Sequence, residues 1–209
     1  MSNKLAVYDR DYARALSKDG ETLLLLDFSG SMYERHSGGK TRYECLVESI
    51  KVAGLGDCPA ITFGEGGMRH LFRMHGDRLP KHAGLNIVAE AQEPGTPMSE
   101  AIDLALRRRR RPKVVFLISD GEPLDSPDGG WDSKQSAFER ALKLKCPVNT
   151  VFIGDDPEAE AFMGAIARAT GGYFQNVKDR PIQGRSLTDQ LADAMSAALP
   201  ALPALPART

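Results

Sequence analysis

The sequence has few of the features that mark secreted, membrane or zinc-knuckle proteins. Its three cysteines, Cys45, Cys58 and Cys146, are widely spaced with no Cys-x-x-Cys pair, so we expect no disulfide framework and no zinc knuckle. Cys45 and Cys58 are expected to pack as small apolar residues. No apolar stretch approaches the roughly 20 residues of a membrane span, and residues 1–18 lack a signal-peptide core. These absences predict a cytoplasmic protein with no membrane partner.

An excess of charge of either sign is also missing. The chain has 27 Lys and Arg against 28 Asp and Glu, a formal net charge of -1, which predicts no nucleic-acid partner. The densest basic run, Arg107–Arg111, is interpreted as the end of a helix, where cations offset the negative end of the helix dipole. We expect this run at the opposite pole of the domain from the site described below.

The common catalytic patterns are absent. The four histidines have no acidic or cysteine companions at zinc spacing, and no Ser-His-Asp arrangement can be recognised. The glycine-rich stretch Gly64–Gly67 is not followed by Lys-Ser or Lys-Thr, so it is not a phosphate-binding loop.

What the sequence does contain is two apolar runs that end on carboxylates. Leu23–Leu26 precedes Asp27-Phe28-Ser29-Gly30-Ser31, and Val114–Ile118 precedes Ser119-Asp120-Gly121. Such runs predict buried strands. Asp27, Ser29 and Ser31 alternate, so one carboxylate and two hydroxyls can converge. Hard oxygen donors of this kind suit Mg²⁺ or Mn²⁺ better than zinc. Further donors are expected from Thr96, in Pro94–Pro97, and from Asp120.

This set of residues resembles the metal-ion-dependent adhesion site of the von Willebrand factor type A (VWA) domain. The five matching positions occur in order, and the resemblance extends from about Leu23 to Leu199: Asp27, Ser29, Ser31, Thr96 and Asp120. One departure is Pro94, where many relatives carry a second glycine, and Pro97 follows the threonine. We expect a stiffer loop around an unchanged ligand.

The resemblance implies both a function and a division of roles. Ser29, Ser31 and Thr96 would contact Mg²⁺ or Mn²⁺ directly, while Asp27 and Asp120 would act directly or through water. An open coordination position would accept an acidic side chain of a partner protein. Small domains of this kind often work with AAA+ ATPases or in multiprotein assemblies. The resemblance thus predicts an interaction module rather than an enzyme.

The remaining periodicity predicts a doubly wound α/β domain, with a mostly parallel sheet, helices on both faces and one antiparallel edge strand. We expect residues 1–20 to form an N-terminal extension, 21–199 the domain, and 200–209 a Pro-rich flexible tail. The expected elements are helices over 42–53, 98–109, 133–144, 158–169 and 187–199, with strands at 23–27, 59–63, 114–120, 148–153 and 172–174 and a hairpin arm within 68–74. Trp131 ends a long polar loop, 121–131, and two interpretations are open: it contributes to partner contacts, or it packs the loop onto the next helix.

The alternative is a Mg²⁺-dependent phosphotransferase of the haloacid dehalogenase type. Asp27 would be its nucleophile, and Asp155-Asp156 would be its downstream acidic pair. Against it, that family has a second carboxylate two residues after the nucleophile, where this chain has Ser29, which cannot donate a proton near neutral pH. Asp156 before Pro157 also fits a helix N-cap.

Overall fold

The computed structural model describes residues 22–35, 39–56, 58–64, 71–73, 96–121, 123, 134–178 and 184–199. Its strands are β1 Thr22–Asp27, β2 Pro59–Phe63, β3 Leu71–Arg73, β4 Val114–Ser119, β5 Val148–Ile153 and β6 Phe174–Val177. Its α-helices are α1 Arg42–Val52, α2 Met98–Leu106, α3 Lys134–Lys143, α4 Pro157–Thr170 and α5 Leu187–Ala197, and a 3-10 turn spans Gly30–Tyr33. The predictions for residues 1–20, for residues 200–209 and for Trp131 concern residues outside these ranges.

The strands form one sheet in the order β3-β2-β1-β4-β5-β6. β1 pairs in parallel with both β2 and β4, and β5 and β6 continue the parallel set. β3 pairs antiparallel with β2 through Ala60 and Phe72. The expected α/β architecture with a mostly parallel sheet is confirmed. Because β1 and β4 are central, their carboxyl ends lie side by side, and we call this end of the sheet the carboxyl edge.

The four leucines of β1 point alternately to the two faces of the sheet, as successive side chains of a strand do. Leu24 and Leu26 pack with α1 and α5, whereas Leu23 and Leu25 pack with α2, α3 and α4. All four leucines are fully buried. Cys45, Cys58 and Cys146 are buried, and Cys45 and Cys58 pack in the core beside α1 as the predicted small apolar residues. A strand buried on both faces gives the residues that follow it a rigid base.

Two predicted elements differ from the structure by three residues at one end. Helix α2 ends at Leu106 with Arg107 as its C-cap, so most of the Arg107–Arg111 run follows the helix and does not lie in its last turn. The last strand is Phe174–Val177 rather than 172–174. A β-carbon on Gly172 would overlap the carbonyl group of Val148, so the chain lies close against the start of β5 there, and its pairing with β5 begins at Phe174.

Several helix ends follow ordinary capping chemistry. The Asp156 carboxylate accepts hydrogen bonds from the amides of Glu158 and Ala159, which confirms it as the N-cap of α4. Thr41 begins α1 with a reciprocal capping box that includes Glu44. Within the described ranges, no helix is both long and apolar enough to cross a membrane.

Candidate metal centre

The site residues are positioned by the two central strands. Asp27 is the last residue of β1, and Ser29 and Ser31 lie at the start of the 3-10 turn that follows. Asp120 comes directly after the last residue of β4. Parallel pairing of β1 with β4 therefore brings residues that are about 90 positions apart in sequence to one point on the carboxyl edge.

Hydrogen bonds join four of the five expected site residues. The Ser29 amide donates to Asp27 Oδ1 at 2.7 Å, and the Ser31 hydroxyl donates to Asp120 Oδ1 at 2.8 Å. The hydroxyl oxygens of Ser29 and Ser31 are 3.0 Å apart. Because the single Ser31 proton is directed at Asp120, the Ser29 hydroxyl is the donor of this pair. The two serines thus form a continuous chain of hydroxyls directed at Asp120.

Thr96 is close to the start of α2 and is not part of this chain of hydrogen bonds. It is 4% exposed, and its carbonyl accepts a hydrogen bond from the Met98 amide at 2.7 Å. A ligand role for Thr96, as for the other four residues, stays a prediction.

Both carboxylates are more buried than the sequence suggested. A position at a surface rim is the expectation for strand-end carboxylates, but Asp27 is 0% exposed and the Asp120 side chain is 1% exposed. The expectation of a rim position is therefore wrong, and the side chain of Arg42 is one of the groups in contact with Asp120. Loss of either carboxylate will therefore leave hydrogen-bond donors without acceptors in a dry environment.

Burial sets the proton affinity of these groups. The pKa of Asp27 is raised from 3.8 to about 7. Burial is the largest cause of this shift, and the negative charge of Asp120 also contributes to it. Hydrogen bonds from Ser119 and Ser29 oppose the shift. The pKa of Asp120 is also raised by burial, against the opposing effects of Ser31 and Arg42. Without a cation, the site disfavours two simultaneous negative charges.

The stability of the metal-free protein is expected to fall as pH rises. Because the pKa of Asp27 is raised in the folded state, the folded protein keeps a proton between about pH 4 and pH 7 that the unfolded chain has lost. The stabilisation is complete below about pH 4 and is lost as pH rises through about 7, by roughly 2–4 kcal/mol. Urea unfolding in a chelator at about pH 5 and about pH 8 measures this difference. Equal stabilities at the two pH values would contradict it.

Two residues of the site have no role in the sequence-based prediction. The Ser119 hydroxyl donates to Asp27 Oδ2 at 2.5 Å and accepts from the Gly121 amide at 3.2 Å. Arg42 Nη1 donates to Asp120 Oδ2 at 2.8 Å. A signal for Arg42 was present: it is the first residue of a helix, where the dipole disfavours a cation, so a tertiary acid is needed to compensate.

The loop after β1 packs closely against the glycine that follows the neighbouring strand and against an aromatic ring of the first helix. The Phe28 amide donates to the Phe63 carbonyl at 2.6 Å, and a β-carbon on Gly64 would overlap the carbonyl group of Phe28 and approach the Ser29 amide to 2.7 Å. On the other side, the Phe28 ring meets Tyr43 edge-on, with ring centroids 4.8 Å apart. β2 and α1 therefore hold the loop from two directions.

The geometry does not favour the phosphotransferase alternative. Asp27 is fully buried and both its oxygens accept hydrogen bonds, from the Ser29 amide and the Ser119 hydroxyl, so it is not presented as a nucleophile. Asp156 caps a helix, and Asp155 Oδ1 is 3.0 Å from Lys178 Nζ. The proposed acidic pair is thus used in local contacts.

Comparison with known proteins identifies the fold. No protein-family model and no curated protein matches the sequence. Among solved structures, the SpRpn10 VWA domain covers 83% of this chain at 13% identity and a TM-score of 0.50, and 92% of that domain is covered in return. The chain therefore has a VWA fold, as the resemblance implied.

Two larger proteins contain a similar unit. Proximal thread matrix protein 1 from the mussel byssus covers 85% of this chain, with 14% identity and a TM-score of 0.53. The human COPII-coat protein Sec24c covers 83%, with 14% identity and a TM-score of 0.54. The present chain spans 45% and 32% of these two proteins. At such identities the similarity establishes the fold alone.

Proposed function

We propose that this chain is a protein-interaction module that depends on a divalent cation, Mg²⁺ or Mn²⁺. The observation that supports it best is the chain of hydroxyls from Ser29 through Ser31 to Asp120, at the carboxyl edge of a VWA fold. Ligands of open α/β sheets bind at this edge. Ser29, Ser31 and Thr96 would hold the cation, and Asp27 and Asp120 would orient the donors and balance the charge.

The residues present fit such an ion. Hydroxyl and carboxylate oxygens are hard donors, and in the described part of the chain no three His, Cys, Asp or Glu side chains come together to form a softer or more acidic site. The two buried carboxylates, Asp27 and Asp120, repel each other, and a cation relieves that repulsion. When bound, the ion supplies an electrophilic centre that accepts a carboxylate oxygen.

The partner in this proposal is another protein that presents an acidic side chain. An assembly with an AAA+ ATPase is the kind of partnership that the resemblance suggests. The COPII-coat protein Sec24c shows that a similar fold occurs within a protein of a multiprotein coat. No catalytic role is proposed, because Asp27 is held by two hydrogen bonds and is fully buried.

The test is a calorimetric titration of the chelator-treated protein with Mg²⁺ and Mn²⁺, alongside a phosphatase assay on an aryl phosphate. We expect binding without turnover, loss of binding in Asp120→Ala, and about tenfold weaker binding in Ser29→Ala and Thr96→Ala, where water can partly replace a hydroxyl. Ser196→Ala, in the last turn of α5, is the matched control and should bind as wild type. Wild-type affinity in Asp120→Ala would contradict the proposal, and turnover that depends on Asp27 would favour the phosphotransferase.

A further inference from the structure

A cavity lies at the amino edge of the sheet, the end opposite the candidate metal centre. Its volume is about 310 Å³, and its walls come from the start of β4, the chain on either side of β5 and α4, and the end of α5. These walls are mostly apolar and include Val114, Pro147, Tyr173 and Ala198. Tyr173 is 40% exposed, so its ring presents an aromatic surface to a ligand of the cavity.

The polar groups of the cavity already have partners. Asn149 is 4% exposed, its Nδ2 donates to the Ala198 carbonyl at 2.9 Å, and its Oδ1 accepts from the Tyr173 amide at 2.9 Å. The Tyr173 hydroxyl donates to Gln175 Oε1 at 3.0 Å. Because these groups are satisfied, the cavity suits an apolar occupant. Asn149 also joins two walls directly, so the end of α5 and the backbone of Tyr173 are only one side chain apart.

The end of α5 is fixed at the rim of this cavity. Ala198 is the C-cap of the helix, and Leu199 packs against the same core cluster as Val114. The described part of the chain ends at Leu199, and Pro200 is the next residue. Proline cannot donate the amide hydrogen bond of a further helical turn, and it disfavours helical backbone in the residue before it. The helix therefore stops where the cavity begins.

The sequence that follows has a period of its own. From Leu199 to Ala207 it repeats Leu-Pro-Ala three times, and residues 200–207 lie outside the described ranges. Proline-rich segments favour the extended polyproline II helix, which has about three residues per turn and rises about 3.1 Å per residue. A three-residue repeat matches this turn, so Leu202 and Leu205 would share one edge with Leu199. The alanines would lie on another edge.

We propose that residues 200–207 dock on the amino edge as an extended segment, with Leu202 in the cavity and Leu205 against the ring of Tyr173. Segments of this composition bind aromatic-lined grooves, because their extended form is already stiff and loses little entropy on docking. Leu199 already packs on the core, so the leucine edge continues a contact that the described chain has begun. The short connection gives the segment a high effective concentration at the cavity.

The first test measures how accessible the segment is to a protease. Elastase cleaves after small residues, and it reaches Ala201 and Ala204 only when the segment has left the cavity. The wild type, Tyr173→Ala and Leu142→Ala are treated in native buffer, and the products are identified by mass spectrometry. All three have the same segment, so their cleavage rates compare directly. Leu142 is 44% exposed on α3, which makes Leu142→Ala the matched control.

Cleavage at these alanines is expected to be about fivefold faster in Tyr173→Ala, because it follows the population of the undocked form. Leu142→Ala should stay within about twofold of the wild type. Equal rates in Tyr173→Ala and the wild type would overturn the proposal.

The second test asks which edge of the segment is buried. Leu202→Ser with Leu205→Ser changes the leucine edge, whereas Ala201→Ser with Ala204→Ser introduces the same side chain on another edge. The leucine pair is expected to lower the Tm by about 4 °C, and the alanine pair by less than about 1 °C. In a Tyr173→Ala background the leucine pair should lower the Tm by only about 1 °C, because residues in contact are not additive.

Equal effects of the two serine pairs would contradict the docking, and so would full additivity with Tyr173→Ala. Sedimentation velocity separates docking within one chain from exchange between two chains. A dimer that the leucine pair dissociates would place the segment in a second copy and overturn the proposal as stated. Deletion of residues 1–20 tests the other segment that leaves this edge, since Thr22 pairs with Val114. If that deletion removes the effect of the leucine pair, the leucines pack on residues 1–20 and the cavity is not their site.

Discussion

Replacing Asp27 with asparagine is expected to abolish Mn²⁺ binding and to leave the metal-free protein at least as stable as wild type at about pH 8. Asparagine has nearly the same shape and removes a buried charge, whose cost is reflected in the raised pKa of Asp27. Its oxygen can still accept from the Ser29 amide, 2.7 Å from Oδ1. Its amide can donate to Ser119, whose own proton can turn to the Gly121 carbonyl at 3.1 Å.

Asp27→Ala is the comparison that isolates the charge from the hydrogen bonds. Both variants lose the carboxylate, but alanine also leaves the buried Ser29 amide without its acceptor, at a cost of about 1–3 kcal/mol. Urea unfolding in a chelator and Mn²⁺ calorimetry are measured on both. The fall in stability between about pH 5 and about pH 8 should become smaller in Asp27→Asn, where the raised pKa of Asp120 is left to contribute to it. Mn²⁺ binding by Asp27→Asn at wild-type affinity would contradict the assignment of this residue.

Gly64→Ala is expected to destabilise the protein by about 3 kcal/mol and to weaken Mn²⁺ binding by at least about tenfold. The added methyl group would overlap the carbonyl group of Phe28 and approach the Ser29 amide. These are backbone atoms between β1 and the 3-10 turn, so they cannot rotate away as the end of a side chain can. The loop that carries Ser29 and Ser31 must move, and the two hydroxyls move with it.

Gly172→Ala is the matched control for this variant. Its methyl group would overlap the carbonyl group of Val148, at the opposite end of the sheet from the site. We expect a comparable loss of stability, measured by urea unfolding, but Mn²⁺ affinity within about twofold of wild type in the folded protein. If Gly64→Ala folds and binds Mn²⁺ as the wild type does, the inference that the packing at Gly64 positions the site loop is wrong.

Much of the fold could be predicted because its strands are simple in sequence. The leucines of β1 and the apolar residues of β4 are buried on both faces, so they form unbroken runs that end sharply at Asp27 and Asp120. The start of α4 was equally clear, since Asp156-Pro157 combines a capping carboxylate with proline. By contrast, β6 lies at the sheet edge, where partial burial gives a weak pattern and allowed an error of two residues at its start and three at its end.

The candidate site also contains residues that could be predicted from the sequence and residues that could not. Asp27, Ser29, Ser31 and Asp120 were brought together by their places at strand ends, which a sequence can show. Ser119 and Arg42 were missed for different reasons. Ser119 lies in a strand, where a small side chain with a hydroxyl cannot be told from a residue that only packs. Arg42 contacts Asp120, which lies 78 positions away in sequence. Side-chain pairs of that separation depend on how α1 packs, which local patterns do not encode.

The separation of the two halves of the site also bears on how the chain folds. Ser31 and Asp120 are 89 positions apart, and Asp27 and Ser119 are 92 apart. Their contacts form only when β1 pairs with β4, which closes a long loop at a considerable entropic cost. During synthesis, a chain that has not yet reached Val114 contains half a site. A cation bound at this site would therefore act on the finished protein, where it would slow unfolding rather than guide the early steps of folding.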